Sequence, residues 1–259
     1  MTLPRADART VIVTGAASGI GRETALAFAS EGAHVACWDR LEDDGSLRRQ
    51  LTACGREPLV ETVDVTVSRD VDGAVARVLS RWGRVDVLVN NAGIVRDAQL
   101  VKWTGDEVAS VMSDEAFDAV LDVNVKGVFH CTRAVAPSMI AARQGVVLNA
   151  SSVVALYGNF GQTNYVATKS AVVGLTRTWA RELGRYGIRV NAVAPGFIAT
   201  DMLKTMPAQV VAGMVARTPL GRAGTPRDVA NAYVWLASER ASFVHGAVLS
   251  VDGGLVVGT

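Results

Sequence analysis

A serine, a tyrosine and a lysine in the second half of the chain are spaced as a proton-transfer unit requires. Tyr165 and Lys169 are four residues apart, so on a helix they lie one turn apart on the same face. A free phenol has a pKa of about 10, and a cation beside it favours the phenolate. Ser152, presented from the preceding strand, could hydrogen-bond the oxygen of a carbonyl substrate. These residue types predict hydride transfer between a nicotinamide and a carbon that bears oxygen.

Glycines cluster where the first predicted strand gives way to a helix. Gly15, Gly19 and Gly21 follow the strand Thr10–Thr14, and the helix is predicted to begin near Gly19. Glycine lets the backbone turn tightly and approach a pyrophosphate at the positive end of a helix. The Gly-x3-Gly-x-Gly spacing is a weak signal when taken alone. Together with the residues that follow, it predicts a dinucleotide site.

Asp39, at the end of the second predicted strand, bears on the choice of cofactor. A carboxylate there can accept both ribose hydroxyls and repel a 2′-phosphate. Arg40 beside it favours the opposite choice, because a guanidinium binds phosphate well. Repulsion between like charges should dominate, so the sequence predicts NAD rather than NADP. Asp64, after the third strand, either caps the adenine amino group or serves as a turn residue.

Short β-branched runs alternate with longer helical patterns along the chain. This alternation predicts an α/β fold: a single-domain, Rossmann-like, doubly wound parallel sheet of about seven strands with helices on both faces. Two irregular segments, 94–113 and 197–225, follow strand ends and are interpreted as substrate loops of one domain spanning 1–259. The predicted strands are 11–13, 34–38, 59–63, 85–89, 145–148, 188–193 and 247–251. The predicted helices are 19–30, 47–54, 71–82, 115–143, 165–186 and 226–238.

The overall composition narrows the class of protein. The 259 residues are 49% hydrophobic and 20% charged, with a net charge of +1, which suits one soluble domain. That charge favours neither a nucleic acid nor an anionic membrane as a partner. No apolar signal region precedes the first strand and no apolar run could span a membrane, so a cytoplasmic protein is expected. Three scattered cysteines and three scattered histidines predict buried reduced thiols and no metal site.

In the order and spacing of its motifs, the chain resembles the short-chain dehydrogenases/reductases over essentially its full length. Within that family, the segments around Asn91, Tyr165 and Pro195 are most similar to the 3-oxoacyl-thioester reductases. The matching pieces are residues 14–21, Asp64, residues 90–93, Asn124, Ser152, Tyr165, Lys169, Pro195, Gly196, Thr200 and residues 252–254.

The resemblance implies a role for each matching residue. Tyr165 is implied to be the general acid/base, Lys169 to bind the nicotinamide ribose and lower the Tyr165 pKa, and Ser152 to orient the substrate oxygen. Asn124 is implied to hold a water on the proton path through its helix backbone. The residues implied to hold the cofactor are Gly15, Ser18, Gly19, Ile20, Gly21, Asp39, Arg40, Asp64, Val65, Asn91, Ala92, Gly93, Tyr165, Lys169, Pro195, Gly196, Ile198 and Thr200.

Two departures from the family pattern concern the substrate. The segment between Gly93 and Asn124 is longer than expected, with 103–107 as apparent extra material. Of two basic residues that meet the acyl-carrier protein in those reductases, Arg143 matches one, whereas the other falls at Tyr186. Docking of a carrier protein is therefore in doubt.

Several alternatives remain open on the sequence. A mostly apolar pocket favours a small-molecule substrate with hydrocarbon bulk. An NAD-dependent dehydrogenase of a small cyclic or aromatic secondary alcohol competes with the thioester reductase, and a non-catalytic nucleotide-binding scaffold is the remote alternative. The resemblance also implies a homotetramer, with which the stripe Val166, Val173 and Ala180 is compatible. The candidate pocket residues are Val154, Leu156, Tyr157, Phe160, Gln162, Phe197 and Met202.

Overall fold

A seven-stranded parallel sheet forms the centre of the molecule in the computed structural model, which describes residues 9–200 and 208–256. The strands are β1 (Thr10–Thr14), β2 (His34–Asp39), β3 (Leu59–Thr62), β4 (Val87–Asn90), β5 (Val101–Trp103), β6 (Val108–Val111), β7 (Gly145–Ala150), β8 (Ile188–Pro195) and β9 (Val248–Val251). The large sheet has the order β3-β2-β1-β4-β7-β8-β9, and β5 pairs with β6 in a separate antiparallel hairpin. The order reverses between β1 and β4, where open α/β sheets bind ligands.

Helices cover both faces of the large sheet. They are α1 (Gly19–Ser30), α2 (Ser46–Thr52), α3 (Ser68–Trp82), α4 (Asp114–Leu121), α5 (Val128–Ala142), α6 (Val154–Tyr157), α7 (Thr163–Leu183), α8 (Ala208–Ala216) and α9 (Pro226–Ala237). Side chains of α1, α2 and α9 pack on one face, and those of α3, α5 and α7 on the other. The predicted fold class is therefore confirmed.

Alternation along the strands divides the core into two layers. In β1, Val11 and Val13 point to the α1 and α9 side, while Ile12 points to the α3 and α5 side. All three side chains are fully buried, because both faces of the strand are covered by helices. This double coverage explains why the strands read as continuous apolar runs.

Three segments differ from the predicted elements. The expected helix 115–143 is interrupted by a π-helical turn at Asp122–Gly127, which separates α4 from α5. The segment 94–113, predicted to be irregular, contains the β5–β6 hairpin, and 197–225 contains α8. The other predicted boundaries lie within a few residues of the observed ones. Met202, a candidate pocket residue, lies outside the described residues.

The β5–β6 hairpin stands out from the body of the molecule. Every residue of both strands is exposed, including Trp103 and Val108. Its tip is closed by Thr104, whose amide and hydroxyl both donate to the Glu107 carbonyl, at 3.1 and 3.2 Å. The apparent extra material at 103–107 thus comprises the last residue of β5 and the turn that joins β5 to β6.

The structure corrects or narrows two lesser expectations. Val173 and Ala180 are buried within the chain itself, so the stripe on α7 carries no argument for a homotetramer, which stays a prediction. Cys37 and Cys131 are buried, but Cys54 is partly exposed. Across residues 9–200 and 208–256, no helix is long and apolar enough to cross a membrane, and no cluster of side chains could hold a metal ion.

Candidate active site

The tight turn between β1 and α1 requires glycine at several positions. Gly15 has a φ of +66° and Gly19 a φ of +53°, which a residue with a Cβ rarely adopts. A Cβ on Gly21 would lie 2.0 Å from the Gly15 carbonyl oxygen. Ser18 is the N-cap residue of α1, but its side chain makes no hydrogen bond to the amides of the first turn. No acidic residue occupies the first turn of this fully described helix. The amides there are left for an anion, as a pyrophosphate site requires.

The loop after β4 is joined to this turn through Thr14. Its hydroxyl accepts hydrogen bonds from the backbone amides of Asn91 and Ala92, both at 3.0 Å. The Asn91 side chain donates in turn to the carbonyls of Thr14 and Gly15. Thr14 was not singled out as a site residue by the sequence. The signal for it was its place in the matched segment 14–21.

A cavity of about 100 Å³ lies between the ends of β1, β2 and β4. Asp39 lines it, with one carboxylate oxygen accepting from the Ala17 amide and the other from the Leu41 amide, both at 3.0 Å. Asp64 forms a turn instead: one oxygen accepts from both the amide and the hydroxyl of Thr66. The cavity is lined by Gly15, Trp38, Asp39, Arg40, Val63, Asp64, Val65, Ala92, Gly93, Ile94 and Val123.

The segment after β8 approaches the same turn from the other side. A Cβ on Gly19 would lie 3.4 Å from Thr200 Cγ2, so these two predicted residues are neighbours. Gly196 accepts no side chain, because a Cβ there would meet the Asp252 Cβ at 2.6 Å. The Ile198 side chain is buried in the core, which leaves only its main chain for a ligand. The glycine cradle, the free helix amides and the Asp39 cavity together fit a dinucleotide.

Tyr165 is held at the start of α7 by its neighbour Asn164. The buried Asn164 amide donates to the carbonyls of Arg96 and Ala116, and its oxygen accepts from the Tyr165 amide at 2.7 Å. The first turn of α7 is thereby fixed to the loop after β4 and to α4. Sequence reasoning missed Asn164, although asparagine is a typical N-cap residue and this one directly precedes the predicted start of the helix.

Lys169 lies one turn beyond Tyr165 and is buried. Its Nζ donates to the Ala150 carbonyl at 2.7 Å and lies 5.5 Å from the centroid of the Tyr165 ring. Burial lowers the pKa of the ammonium to about 8, so it remains mostly protonated at neutral pH. The cation therefore lies beside the phenol, as the four-residue spacing predicts.

Ser152 and Ser151 have different tasks. The Ser151 hydroxyl donates to the Lys169 carbonyl at 3.0 Å and so ties the end of β7 to α7. The Ser152 hydroxyl instead accepts a hydrogen bond from the Val154 amide at 3.4 Å, and its proximity to the Tyr165 phenol lowers the pKa of that phenol. The hydroxyl of Ser151 is thus engaged within the fold, whereas that of Ser152 lies beside Tyr165, where the resemblance implies that it orients the substrate oxygen.

The pKa of the Tyr165 phenol is raised, chiefly because the phenol is buried. The nearby Ser152 hydroxyl lowers the pKa of the phenol, and the Asp97 carboxylate raises it. The net direction is opposite to the lowering by Lys169 that the resemblance implies. Burial thus favours the neutral form of the phenol.

Asn124 lies on the π-helical turn and is completely buried. Its side-chain oxygen accepts from the Ile94 amide at 2.8 Å, while its nitrogen donates to the Ile94 carbonyl and to Thr168 Oγ1. With the side chain occupied in this way, the backbone of the π-helical turn is the part left for a water. Such turns are frequent at functional sites.

The predicted apolar pocket is open rather than enclosed. Leu156, Tyr157 and Phe160 are exposed, and Phe160 retains 82% of its accessible surface. They lie on and after α6, between Ser152 and Tyr165. These three side chains are thus exposed apolar groups on the segment that links Ser152 to Tyr165.

Comparisons with known proteins agree with this geometry. A family model described as enoyl-(acyl carrier protein) reductase matches residues 15–256. The 3-oxoacyl-[acyl-carrier-protein] reductase of Thermotoga maritima is 46% identical over 254 residues, covering 98% of this chain and all of the relative. Proteins of the same name from Staphylococcus aureus and Chlamydia trachomatis are 41% and 39% identical over 249 residues, covering 95% of this chain and 98% and 97% of the relatives.

Proposed function

The chain belongs to the short-chain dehydrogenase/reductase family, and on that premise we propose that it reduces a 3-oxoacyl thioester to the 3-hydroxyacyl thioester. It is an oxidoreductase of keto and CH–OH groups that uses a nicotinamide cofactor. The observation that carries the proposal is the convergence of three side chains. Lys169 Nζ lies 5.5 Å from the centroid of the Tyr165 ring, and Ser152 is close enough to lower the pKa of the Tyr165 phenol. The names of the relatives supply the substrate class.

The chemistry follows from what these side chains can donate. When bound, the nicotinamide supplies a hydride to the carbonyl carbon. The Ser152 hydroxyl donates a hydrogen bond to the ketone oxygen, and Tyr165 transfers its phenolic proton to that oxygen, which completes the alcohol. The Lys169 ammonium stabilises the phenolate that remains. The backbone around Asn124 offers a route by which a water returns the proton.

A substrate panel tests the proposal. We expect acetoacetyl-CoA to drive oxidation of the reduced cofactor, and crotonyl-CoA, which offers only a C=C bond, to be inert, because the Ser152–Tyr165 pair serves a carbonyl oxygen. Cofactor absorbance is followed with each substrate, with 1-phenylethanol and cyclohexanol in the reverse direction. Turnover of the alcohols alone would establish the small-alcohol dehydrogenase instead.

The doubt about a carrier protein finds no support in the comparisons, because the relatives are named for carrier-bound substrates. The contacts of the basic residues also weaken it. Arg143 donates to the Arg185 carbonyl at 3.1 Å, and the Arg185 guanidinium lies 4.7 Å from the centre of the Tyr186 ring. Arg185 can thus supply the second positive charge that Tyr186 lacks. We propose a carrier-borne thioester as the substrate.

We propose NAD(H) as the preferred cofactor, because Asp39 keeps a carboxylate in the cavity after β2. The variant Asp39→Asn keeps a hydrogen-bond acceptor for the Ala17 amide but removes the charge. We expect the wild type to favour NADH over NADPH in kcat/KM, and the variant to gain about tenfold with NADPH, since repulsion of the 2′-phosphate is removed. A wild type that prefers NADPH would overturn this assignment and point to Arg40.

A further inference from the structure

Ala17, in the glycine turn, is held through both of its backbone polar groups. Its amide donates to one Asp39 carboxylate oxygen at 3.0 Å, and its carbonyl accepts from Arg22 Nη1 at 3.2 Å. The amide of the preceding residue, Ala16, donates to the Trp38 carbonyl at 3.2 Å. The turn is therefore attached to the end of β2 on one side and to the first turn of α1 on the other.

The Arg22 guanidinium is itself held by α2. Its Nη2 donates to Ser46 Oγ at 2.9 Å and to Gln50 Oε1 at 3.2 Å, and its Nε donates to the same Gln50 oxygen at 3.3 Å. Leu47 and Leu51 fix α2 in place, because both side chains are buried in the core. A guanidinium presents its donors in a rigid planar fork, whereas a lysine ammonium is a single compact group. Arg22 thus bridges the glycine turn and α2.

The acceptors that surround the Arg22 side chain are uncharged: a carbonyl, a hydroxyl and an amide oxygen. Within residues 9–200 and 208–256, no carboxylate forms an ion pair with it. An ion pair therefore does not account for the place of this side chain among the described residues. What its hydrogen bonds determine is the position of the Ala17 carbonyl relative to α2.

We propose that Arg22 is a positioning residue for the cofactor preference: it holds Ala17, and through Ala17 it keeps the Asp39 carboxylate in one place beside the cofactor cavity. The inference deepens the proposed function and rests on the proposed choice of NAD(H) by Asp39. Arg22 acts through the backbone of the glycine turn and needs no contact of its own with the cofactor.

The place of the Asp39 carboxylate matters because each of its oxygens already accepts one amide, from Ala17 and from Leu41. An ionised carboxylate has about four lone-pair sites, so about one on each oxygen is left for a ribose hydroxyl. The two amides determine where those sites point. A looser turn would let the carboxylate accept ribose hydroxyls less well and repel a 2′-phosphate less strongly. NADH should therefore lose more affinity than NADPH.

The variant Arg22→Lys keeps the positive charge and loses the fork. We expect the Kd of NADH, measured by calorimetric titration, to rise about three- to tenfold, as the loss of one or two hydrogen bonds does, and the Kd of NADPH to rise less. The value of kcat should stay within about twofold, because the change affects binding and not the reaction step. Arg49→Lys makes the same substitution at an exposed position of α2 and should change neither Kd.

Hydrogen exchange gives a measurement that needs no cofactor. In the cofactor-free protein, the peptide 15–21 should exchange its amide hydrogens faster in Arg22→Lys than in the wild type, because the turn opens more readily. Mass spectrometry of the same peptide in Arg49→Lys should give the wild-type rate. Gln50→Leu removes one acceptor and keeps the Arg22 charge, so it should quicken exchange in the same direction and by less.

A double-mutant cycle with Asp39→Asn separates positioning from a general structural role. Once Asp39 has lost its charge, Arg22→Lys should change the ratio of the NADH and NADPH Kd values by less than about twofold, since no charge is left to position. Wild-type Kd values and exchange in Arg22→Lys would overturn the inference. So would an equal loss of affinity for both cofactors, or effects of the two substitutions that simply add.

Failure of the proposed cofactor choice would be visible separately. A wild type that binds NADPH more tightly than NADH would overturn the assignment of NAD(H). The effect of Arg22→Lys on the Kd of NADH, compared with and without Asp39→Asn, would still decide whether Arg22 acts through that carboxylate.

Discussion

Tyr165→Phe is expected to lower kcat for acetoacetyl-CoA reduction by about 10²- to 10⁴-fold, the usual contribution of a positioned general acid. The variant removes only the hydroxyl, so Ser152 and Lys169 remain in place but no phenolic proton is available for the ketone oxygen. Because Asn164 fixes the start of α7 through the Tyr165 backbone amide, the fold should be kept. Cofactor affinity, measured by fluorescence titration, should change little.

A second tyrosine provides a matched control for this result. Tyr233 is also buried, and its hydroxyl has no hydrogen-bond partner among the described residues. Tyr233→Phe deletes the same atom from the core and is expected to leave kcat within about twofold, since that hydroxyl transfers no proton to substrate. If Tyr165→Phe retained wild-type kcat, another group would have to be the acid and the assignment of Tyr165 would be wrong.

Gly21→Ala is expected to weaken cofactor binding by about 10- to 100-fold and to destabilise the fold by about 1–3 kcal/mol, as overpacking of a tight site does. The new methyl group would lie 2.0 Å from the Gly15 carbonyl oxygen and 2.6 Å from Asn91 Nδ2. Neither atom can move without disturbing the bonds that join the loop after β4 to the glycine turn. Calorimetric titration with the cofactor and chemical unfolding measure the two effects.

Gly73→Ala is the control for adding a methyl group to a helical glycine. Gly73 lies within α3, where a Cβ would meet only the flexible end of Arg77, at 3.4 Å. This variant should be stabilised by about 0.5–1 kcal/mol, because alanine loses less backbone entropy in a helix, and should bind the cofactor as the wild type does. Wild-type cofactor affinity in Gly21→Ala would show that the turn does not form the dinucleotide site.

Local patterns were enough to predict the sheet and the order of its elements. The central residues of β1 (11–13) and β4 (87–89) are all apolar because both faces of the sheet are covered, so these strands could be recognised without tertiary information. The π-helical turn at Asp122–Gly127 could not be predicted, since it extends a helical pattern without altering its period visibly. The hairpin was missed because its strands have only three and four residues and are exposed on both faces, so neither is long enough to give a clear period-2 pattern.

The part of the candidate site that could be predicted consists of residues that are close together both in the sequence and in space. Tyr165 and Lys169 are one helical turn apart in the sequence and in the structure. The contacts of Asp97 with Gln162 and of Asn164 with Arg96 join residues more than sixty positions apart, and only the fold brings them together. The net direction of the Tyr165 pKa could not be predicted for a related reason: the burial that raises it is a property of the packed site and not of a motif.

Transfer of deuterium from the reduced cofactor to acetoacetyl-CoA tests the central claim most directly. With the cofactor labelled at one of the two C4 positions of its nicotinamide, the account predicts one deuterium on carbon 3 of the 3-hydroxybutyryl-CoA formed, the carbon that carries the new hydroxyl. Its oxygen takes its proton from Tyr165, so the hydroxyl hydrogen comes from solvent. The account would be contradicted if the product carried no deuterium with both of the labelled cofactors, one labelled at each C4 position, or if no hydroxy product formed at all.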